Sequence, residues 1–248
     1  MSKFDYEIDR MSPALLPSGP VVMRQNWRNL LFLHWEVPME SLRQLVPPEL
    51  EIDTFDGKAY VGLVPFSMRD IRPRGLPAVS FLSHFNEVNV RTYVHFRGCD
   101  PGVWFFSLDA ANPVAVQIAR GLFKLPYFYA VMESKISGSE CTYSSERLWP
   151  KPIPASCELK YAPAGSVVHA VPGSLDHFLV ERYILYSMSG RNLFQGRVHH
   201  TPYGVQSAEL ISMTENLVLR SGIVLPDASP LVHYSAGVDV RVYGIKRV

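Results

Sequence analysis

The sequence predicts an α+β fold that consists mainly of antiparallel β-structure, with a few short helices scattered among many strands. Two observations support this fold class: the segments between the helices have the composition and alternation of strands, and the helices are too few for a βαβ repeat. The chain has 248 residues, which suits one large β-rich domain. Because Pro13, Pro17 and Pro20 favour extended backbone, we expect residues 1–20 to form an N-terminal arm and residues 21–248 to form a single domain.

Three short helices are predicted from capping residues and apolar spacing. Pro47 and Pro48 end the first helix. Asn112 is a suitable N-cap for the second helix, which Gly121 follows, and Ser174 caps the third. The predicted helices are Pro38–Val46, Pro113–Arg120 and Leu175–Tyr183.

The remaining segments predict a large, curved antiparallel sheet. A turn at Asp56-Gly57 indicates a hairpin between Leu50–Thr54 and Lys58–Met68. We expect the sheet to close toward a barrel, because closure removes the exposed edges that so many strands create. The further predicted strands are Phe85–Phe96, Val103–Leu108, Phe123–Met132, Ile184–Met188, Leu193–His199 and Ala208–Leu219.

The composition excludes several classes of function. Charged residues make up 19% of the chain, below the usual proportion of about 25%, which indicates a large core, a buried pocket or an oligomer interface. The 24 basic and 23 acidic residues form no basic stripe, so we expect no binding to nucleic acid. No uncharged run is long enough to span a bilayer and no apolar signal core follows the N-terminus, so we expect a cytoplasmic protein with no membrane partner.

The motifs of common cofactor and metal sites are missing from the sequence. There is no dinucleotide or triphosphate loop, no serine-hydrolase elbow and no zinc-protease motif. The three cysteines include no C-x-x-C pair, which argues against a disulfide framework or a zinc site. His199 and His200 would point to opposite faces of a strand. We therefore expect neither a metal nor a cofactor.

The segment Phe85–Phe96 contains the most informative pattern. Its even positions have the composition of a core face, while its odd positions combine a carboxylate, an amide, a guanidinium, a phenol and an imidazole on the other face. Two interpretations remain open: a solvent face with cross-strand ion pairs, or the interior of a barrel or cleft that binds a small molecule. The odd positions are Phe85, Glu87, Asn89, Arg91, Tyr93 and His95.

Lys124 is the one charged residue between Arg120 and Glu133. A lone lysine in an apolar strand either extends to water or is desolvated. Desolvation would lower its pKa and make the amine nucleophilic. The sequence favours the first interpretation but leaves the second open.

Several segments resemble an uncharacterised bacterial family of the acetoacetate decarboxylase-like superfamily. The resemblance covers most of the chain, and its SLDA, LPY and ERYxLY pieces are fairly specific. It implies a mainly antiparallel β-cone or barrel around a small apolar pocket, and a homo-oligomer. The segments are NWRNLLFLHW (26–35), LRQLVPPELEID (42–53), NEVNVRTYV (86–94), FFSLDAANPVAVQIARGLFKLPYFYA (105–130) and SLDHFLVERYILY (174–186).

The resemblance also implies positions for the pocket residues. Acetoacetate decarboxylases form an imine on a lysine whose pKa a second lysine depresses. Aligned without gaps, these two lysines fall on Tyr127 and Phe128 and the pocket arginine falls on Arg28, whereas the pocket glutamate falls on Glu87 in an alignment that includes gaps. A phenol cannot form an imine, so we expect the pocket to persist without the usual Schiff-base chemistry.

These residues define three hypotheses about function. In the first, Arg28, Arg91 and Asn89 bind a carboxylate metabolite, and a lyase or isomerase reaction on a keto acid uses Glu87 and Tyr127. In the second, the same scaffold is a non-catalytic ligand-binding or sensor protein. In the third, Lys124 replaces the lost Schiff-base lysine. The first hypothesis predicts that Glu87 is buried in a cavity and that Arg28 lies close to it.

Overall fold

A computed structural model describes residues 8–150 and 154–248, apart from the side chains of residues 80 and 81. The strands are β1 (Val21–Val37), β2 (Glu51–Ile52), β3 (Ala59–Pro73), β4 (Phe85–Phe96), β5 (Cys99–Ala110), β6 (Tyr127–Ser137), β7 (Glu140–Trp149), β8 (Ser156–His169), β9 (Ile184–Ser189), β10 (Asn192–His199), β11 (Gly204–Glu215), β12 (Leu231–Tyr243) and β13 (Lys246–Arg247). The α-helices are α1 (Met39–Arg43), α2 (Ser80–Ser83), α3 (Pro113–Leu122), α4 (Leu175–Val180) and α5 (Leu217–Arg220), and a 3₁₀ turn spans Ser12–Ala14.

The 13 strands form one sheet in the order β13-β10-β9-β5-β6-β7-β8-β11-β12-β1-β3-β4-β2. Neighbouring strands are antiparallel except where β5 pairs with β6 and with β9. The predicted α+β fold with mainly antiparallel strands and few short helices is therefore confirmed.

Two additional pairings, β4–β5 and β10–β12, fold the sheet back on itself. One closed circuit of strands runs through β1, β3, β4, β5, β9, β10 and β12. A second runs from β5 through β6, β7, β8, β11 and β12 and returns through β1, β3 and β4. Because the two circuits share strands, the sheet is not the single regular barrel that strand number alone would suggest.

Strand β4 is buried on both faces because it separates two apolar cores. Its even-numbered Val88 and Val90 pack in the core of the second circuit. Its odd-numbered Phe85 and Tyr93 pack in the core of the first. The interpretation of the odd face as a solvent face is therefore wrong.

Several predicted boundaries differ from the structure. The Asp56-Gly57 turn closes a short bridge between Phe55 and Lys58, but β2 pairs with β4 rather than with β3, so no regular hairpin forms. The predicted strand Ala208–Leu219 ends early because α5 begins at Leu217, where the Val218 amide donates to the Glu215 carboxylate.

The described part of the N-terminal arm is attached to the rest of the chain. Arg10 forms an ion pair with the buried Asp53, and the Pro13 carbonyl accepts a hydrogen bond from Arg197. The division into an arm and one domain stays a prediction. In the described ranges, no helix is long and apolar enough to cross a membrane.

Candidate functional site

A cavity of about 450 Å³ lies inside the first circuit of strands. Residues of β1, β3, β4, β5, β9, β10 and β12 line it, together with residues of α3 and the start of β6. Most of the lining side chains are apolar. The charged side chains among the described lining residues are Glu87, Arg91 and Arg182, and their residues are 2%, 9% and 7% exposed.

The odd face of β4 contributes a row of polar groups to this cavity. Phe85, Glu87, Asn89 and Arg91 all line it, as the period-two alternation of the strand predicts. Successive members of the row are about 7 Å apart along the strand. The carboxyl group, the amide and the guanidinium therefore lie along the length of the cavity.

Glu87 and Tyr127 form a buried pair in the wall of the cavity. The Tyr127 hydroxyl donates to Glu87 Oε2 at 2.8 Å. Burial raises the pKa of Glu87 to about 8, although hydrogen bonds from Tyr127 and Asn89 act in the opposite direction. Burial also raises the pKa of Tyr127 well above its ordinary value. Near neutral pH most molecules therefore hold a protonated Glu87 beside a neutral phenol.

Arg91 carries a buried positive charge that forms no salt bridge with any carboxylate of the described residues. Its Nη2 donates to the Leu179 carbonyl at 3.2 Å, and its guanidinium lies over the rings of Phe32 and Tyr93. Its Nε is buried without a hydrogen-bond partner. A buried cation in this state favours an anionic ligand.

Arg182 is a second cavity arginine, which the sequence analysis did not identify. Its Nη1 donates to Asp53 Oδ2 at 2.8 Å and its Nε donates to the Phe178 carbonyl, while Nη2 is buried without a partner. Asp53 also pairs with Arg10, so one carboxylate serves two arginines. The signal in the sequence was the charged pair Glu181-Arg182 within the otherwise uncharged run FLVERYILY (178–186).

Arg28 does not lie in the cavity, so the predicted contact between Arg28 and Glu87 is wrong. Its Nη2 pairs with Asp239 at 2.5 Å, and its Nη1 donates to the carbonyls of Trp27 and Val238. The reason is a register shift in β1 at Asn29, whose φ is +54°. Before this shift the odd residues of β1 face the cavity, and after it the even residues do, so Arg28 falls on the outer face. The β1 residues that line the cavity are Met23, Gln25, Trp27 and Leu30.

Lys124 also lies outside the cavity, whereas its neighbours Phe123 and Leu125 line it. The residue follows α3 with a φ of +57°, and its ammonium donates to the Gly121 carbonyl near the end of that helix. β6 begins at Tyr127, so Lys124 is not on the predicted strand Phe123–Met132. No lysine is among the lining residues in the described ranges.

Two further observations concern metals and the second lysine position. In the part of the chain that the structure describes, no group of three or more His, Cys, Asp or Glu side chains could hold a metal ion. Phe128 does not line the cavity; its ring lies 3.8 Å from the Arg147 guanidinium, and Arg147 pairs with the buried Asp109. An apolar ring against an ion pair occupies the position that the resemblance assigns to the activating lysine.

Comparison with known proteins gives a family and a fold. Residues 24–239 match the model of the DUF2071 family, described as an uncharacterized conserved protein. The uncharacterized protein YqjF of Bacillus subtilis (strain 168) is 40% identical over 232 residues, which are 94% of this chain and 95% of that protein.

Solved structures of low sequence identity share the fold. Acetoacetate decarboxylase from Legionella pneumophila superimposes with a TM-score of 0.69 at 13% identity, covering 100% of this chain and 98% of that one. The enduracididine biosynthesis enzyme MppR complexed with pyruvate superimposes with a TM-score of 0.62 at 12% identity, covering 92% and 91% of the two chains. An acetoacetate decarboxylase-like enzyme from Sphingomonas wittichii RW1 has a TM-score of 0.63 at 11% identity, covering 93% of this chain and 94% of its own.

Proposed function

The chain belongs to the DUF2071 family, and we propose that its cavity binds an oxo acid or related carboxylate metabolite and moves a proton next to the carbonyl group of that ligand. The observation that carries the proposal is a buried arginine, Arg91, that shares one cavity with the Glu87–Tyr127 pair and forms no salt bridge with a described carboxylate. That MppR has been solved with pyruvate in the same fold supports a carboxylate ligand.

Each polar group of the cavity has a role in this proposal. Arg91 and Arg182 both line the cavity and hold the ligand carboxylate through their guanidinium groups. Asn89 lines the cavity between the two ends of the row, and its side-chain amide forms a hydrogen bond with Glu87. Glu87 and Tyr127 act on the carbonyl end.

The proton transfer belongs to Glu87. As an acid, the protonated carboxyl group donates to the developing enolate, and as a base, the carboxylate removes a proton from the carbon next to the carbonyl. Its pKa of about 8 gives it access to both states near neutral pH. The neutral phenol of Tyr127 stabilises the charged form of its partner by donating a hydrogen bond. Such a site suits a lyase or an isomerase.

A non-catalytic ligand-binding protein is the second candidate. The observation that favours it is the lack of a lysine among the described lining residues, because no protonated imine is then available as an electron sink. The third hypothesis loses support, since the Lys124 ammonium is bound to the Gly121 carbonyl outside the cavity.

Hydrogen–deuterium exchange separates the first two candidates. The protein is incubated in D₂O with pyruvate, 4-oxopentanoate and 6-oxoheptanoate, and the loss of proton signal next to each carbonyl is followed by NMR. We expect accelerated exchange for at least one of these acids, and a decrease of about 10²-fold or more in Glu87→Gln.

Two results would contradict the proposed exchange. If every acid binds but none exchanges its protons faster, the result would favour the non-catalytic ligand-binding protein. Exchange that persists unchanged in Glu87→Gln would remove Glu87 from the proposed mechanism. Arg28→Gln is the matched control, because Arg28 lies outside the cavity, and its exchange rates should equal those of the unsubstituted protein.

We also expect no imine with acetoacetate. The position that the resemblance assigns to the Schiff-base lysine holds Tyr127, and a phenol cannot form an imine. After incubation with acetoacetate and borohydride, mass spectrometry should find no reduced adduct on the chain. An adduct at Lys124 that disappears in Lys124→Ala, together with carbon dioxide release, would contradict this prediction and restore the third hypothesis.

A further inference from the structure

The polar and apolar parts of the cavity are segregated. The three charged lining residues are all buried. By contrast, the most exposed lining residues are apolar: Leu76 is 61% exposed and Ile118 is 47% exposed. The cavity is therefore charged at its closed end and apolar where it opens to solvent.

The opening is formed by an apolar rim, which we define as Leu76, Val79, Val114 and Ile118. The first two belong to the segment between β3 and α2, and the last two belong to α3. All four line the cavity and are more than 40% exposed. Contiguous exposed apolar side chains at a concave surface are typical of a ligand-binding groove.

The cavity is larger than a short acid requires. Its volume of about 450 Å³ is within the range that accommodates ligands of roughly drug size. Between the rim and Arg91 it is walled by residues such as Val64, Phe105 and Leu108. A three- or four-carbon acid bound at the arginines would leave this apolar wall in contact with water.

The charged end fixes the orientation of a ligand. Arg91 and Arg182 both line the cavity. Arg91 forms no salt bridge with a carboxylate of the described residues, and Asp53, the one described carboxylate that pairs with Arg182, is shared with Arg10. An anionic group is therefore favoured at the closed end, so any chain attached to it extends past Glu87 toward the rim.

We infer that the ligand of this cavity is an amphiphilic acid, with its carboxylate at Arg91 and Arg182 and a hydrocarbon chain of several carbons that reaches the apolar rim. This inference rests on the proposed carboxylate site and adds the class of ligand. A polar group partway along the chain would lie beside the Glu87–Tyr127 pair.

Binding of straight-chain alkanoates from butanoate to decanoate tests this inference, with isothermal titration calorimetry as the measurement. Each added methylene that enters an apolar wall should tighten binding about fourfold. The gain should stop once the chain fills the cavity. Primary alcohols of the same lengths lack the carboxylate and should bind at least tenfold more weakly than the acids.

Substitutions at the two ends of the cavity separate the contributions of head and chain. Arg91→Gln should weaken binding of every acid by a similar factor, tenfold or more. Ala119→Phe places a ring into the cavity from α3, so it should abolish the gain with chain length while butanoate still binds. Gln117→Phe makes a similar change on the exposed face of the same helix and should bind all acids normally.

The outcomes distinguish a failure of the proposed hydrocarbon site from a failure of the proposed carboxylate site. Acids that bind with dependence on Arg91 but without a gain for longer chains would overturn the amphiphile inference and leave the carboxylate site intact. Binding that is equal for acids and alcohols, and unchanged in Arg91→Gln, would overturn the carboxylate site itself. A gain with length that persists in Ala119→Phe would show that the chain binds elsewhere and would also overturn the inference.

Discussion

Replacing Asp53 with asparagine is expected to destabilise the protein by about 3–5 kcal/mol. Asp53 is 1% exposed and pairs with both Arg10 and Arg182. Without its charge, the Arg182 guanidinium, whose side chain is 3% exposed, becomes an uncompensated buried cation. Urea unfolding at neutral pH measures the change as a lower midpoint with an unchanged slope.

Asp239→Asn is the matched control for Asp53. Asp239 also pairs with an arginine, Arg28, but its side chain is 76% exposed and that of Arg28 is 36% exposed. Solvent-exposed ion pairs contribute about 1 kcal/mol or less, so this control should lose little stability. Equal losses in Asp53→Asn and Asp239→Asn would show that Asp53 does not hold an otherwise uncompensated charge.

Glu87→Gln is expected to stabilise the protein at alkaline pH, by about 4 kcal/mol at pH 8 and about 5 kcal/mol well above it. Burial raises the pKa of Glu87 in the folded protein from its ordinary value of 4.5 to about 8. The folded state therefore binds this proton more tightly than the unfolded state. The stability associated with it is complete below pH 4.5 and is lost as the pH rises through 8.

Glutamine keeps the shape of the protonated side chain and cannot ionise, so the variant should lack this loss. Urea unfolding of both proteins from pH 4.5 to 9 gives the difference in free energy of unfolding. That difference should be near zero at pH 4.5 and grow steadily toward pH 8. Other titrating groups cancel because both proteins contain them. A difference that stays constant over this range would mean that the pKa of Glu87 is not raised.

The alternation of β4 was sufficient to place Glu87, Asn89 and Arg91 on one face, because the geometry of a single strand fixes it. It could not show that the opposite face also packs in a core, since that depends on which strands pair across the sheet. Arg28 was misplaced for a related reason. The shift at Asn29 reverses which side of β1 faces inward. Asparagine adopts a positive φ more readily than most residues, but its presence alone does not specify such a shift.

Arg182 shows a second reason why the sequence does not predict the whole site. Arg182 lies in the segment 174–186, which carries part of the family resemblance, and it forms a charged pair with Glu181 in a run that is otherwise mostly apolar. Nothing local indicates whether such a pair lies in water or against a cavity, however. Its partner Asp53 is 129 residues away in the chain. Their contact exists only once the end of β2 and the segment between α4 and β9 have been brought together.

The position of β4 between two cores has a consequence for how proteins of this fold can evolve. The packing of Val88 and Val90 holds the wall in place whether or not a ligand occupies the cavity, so a ligand meets a preorganised surface and does not have to create one. Substitutions on the odd face can then alter recognition while the even face maintains the architecture. Such a division allows one scaffold to acquire new chemistry, or to lose an old one, without first losing its ability to fold.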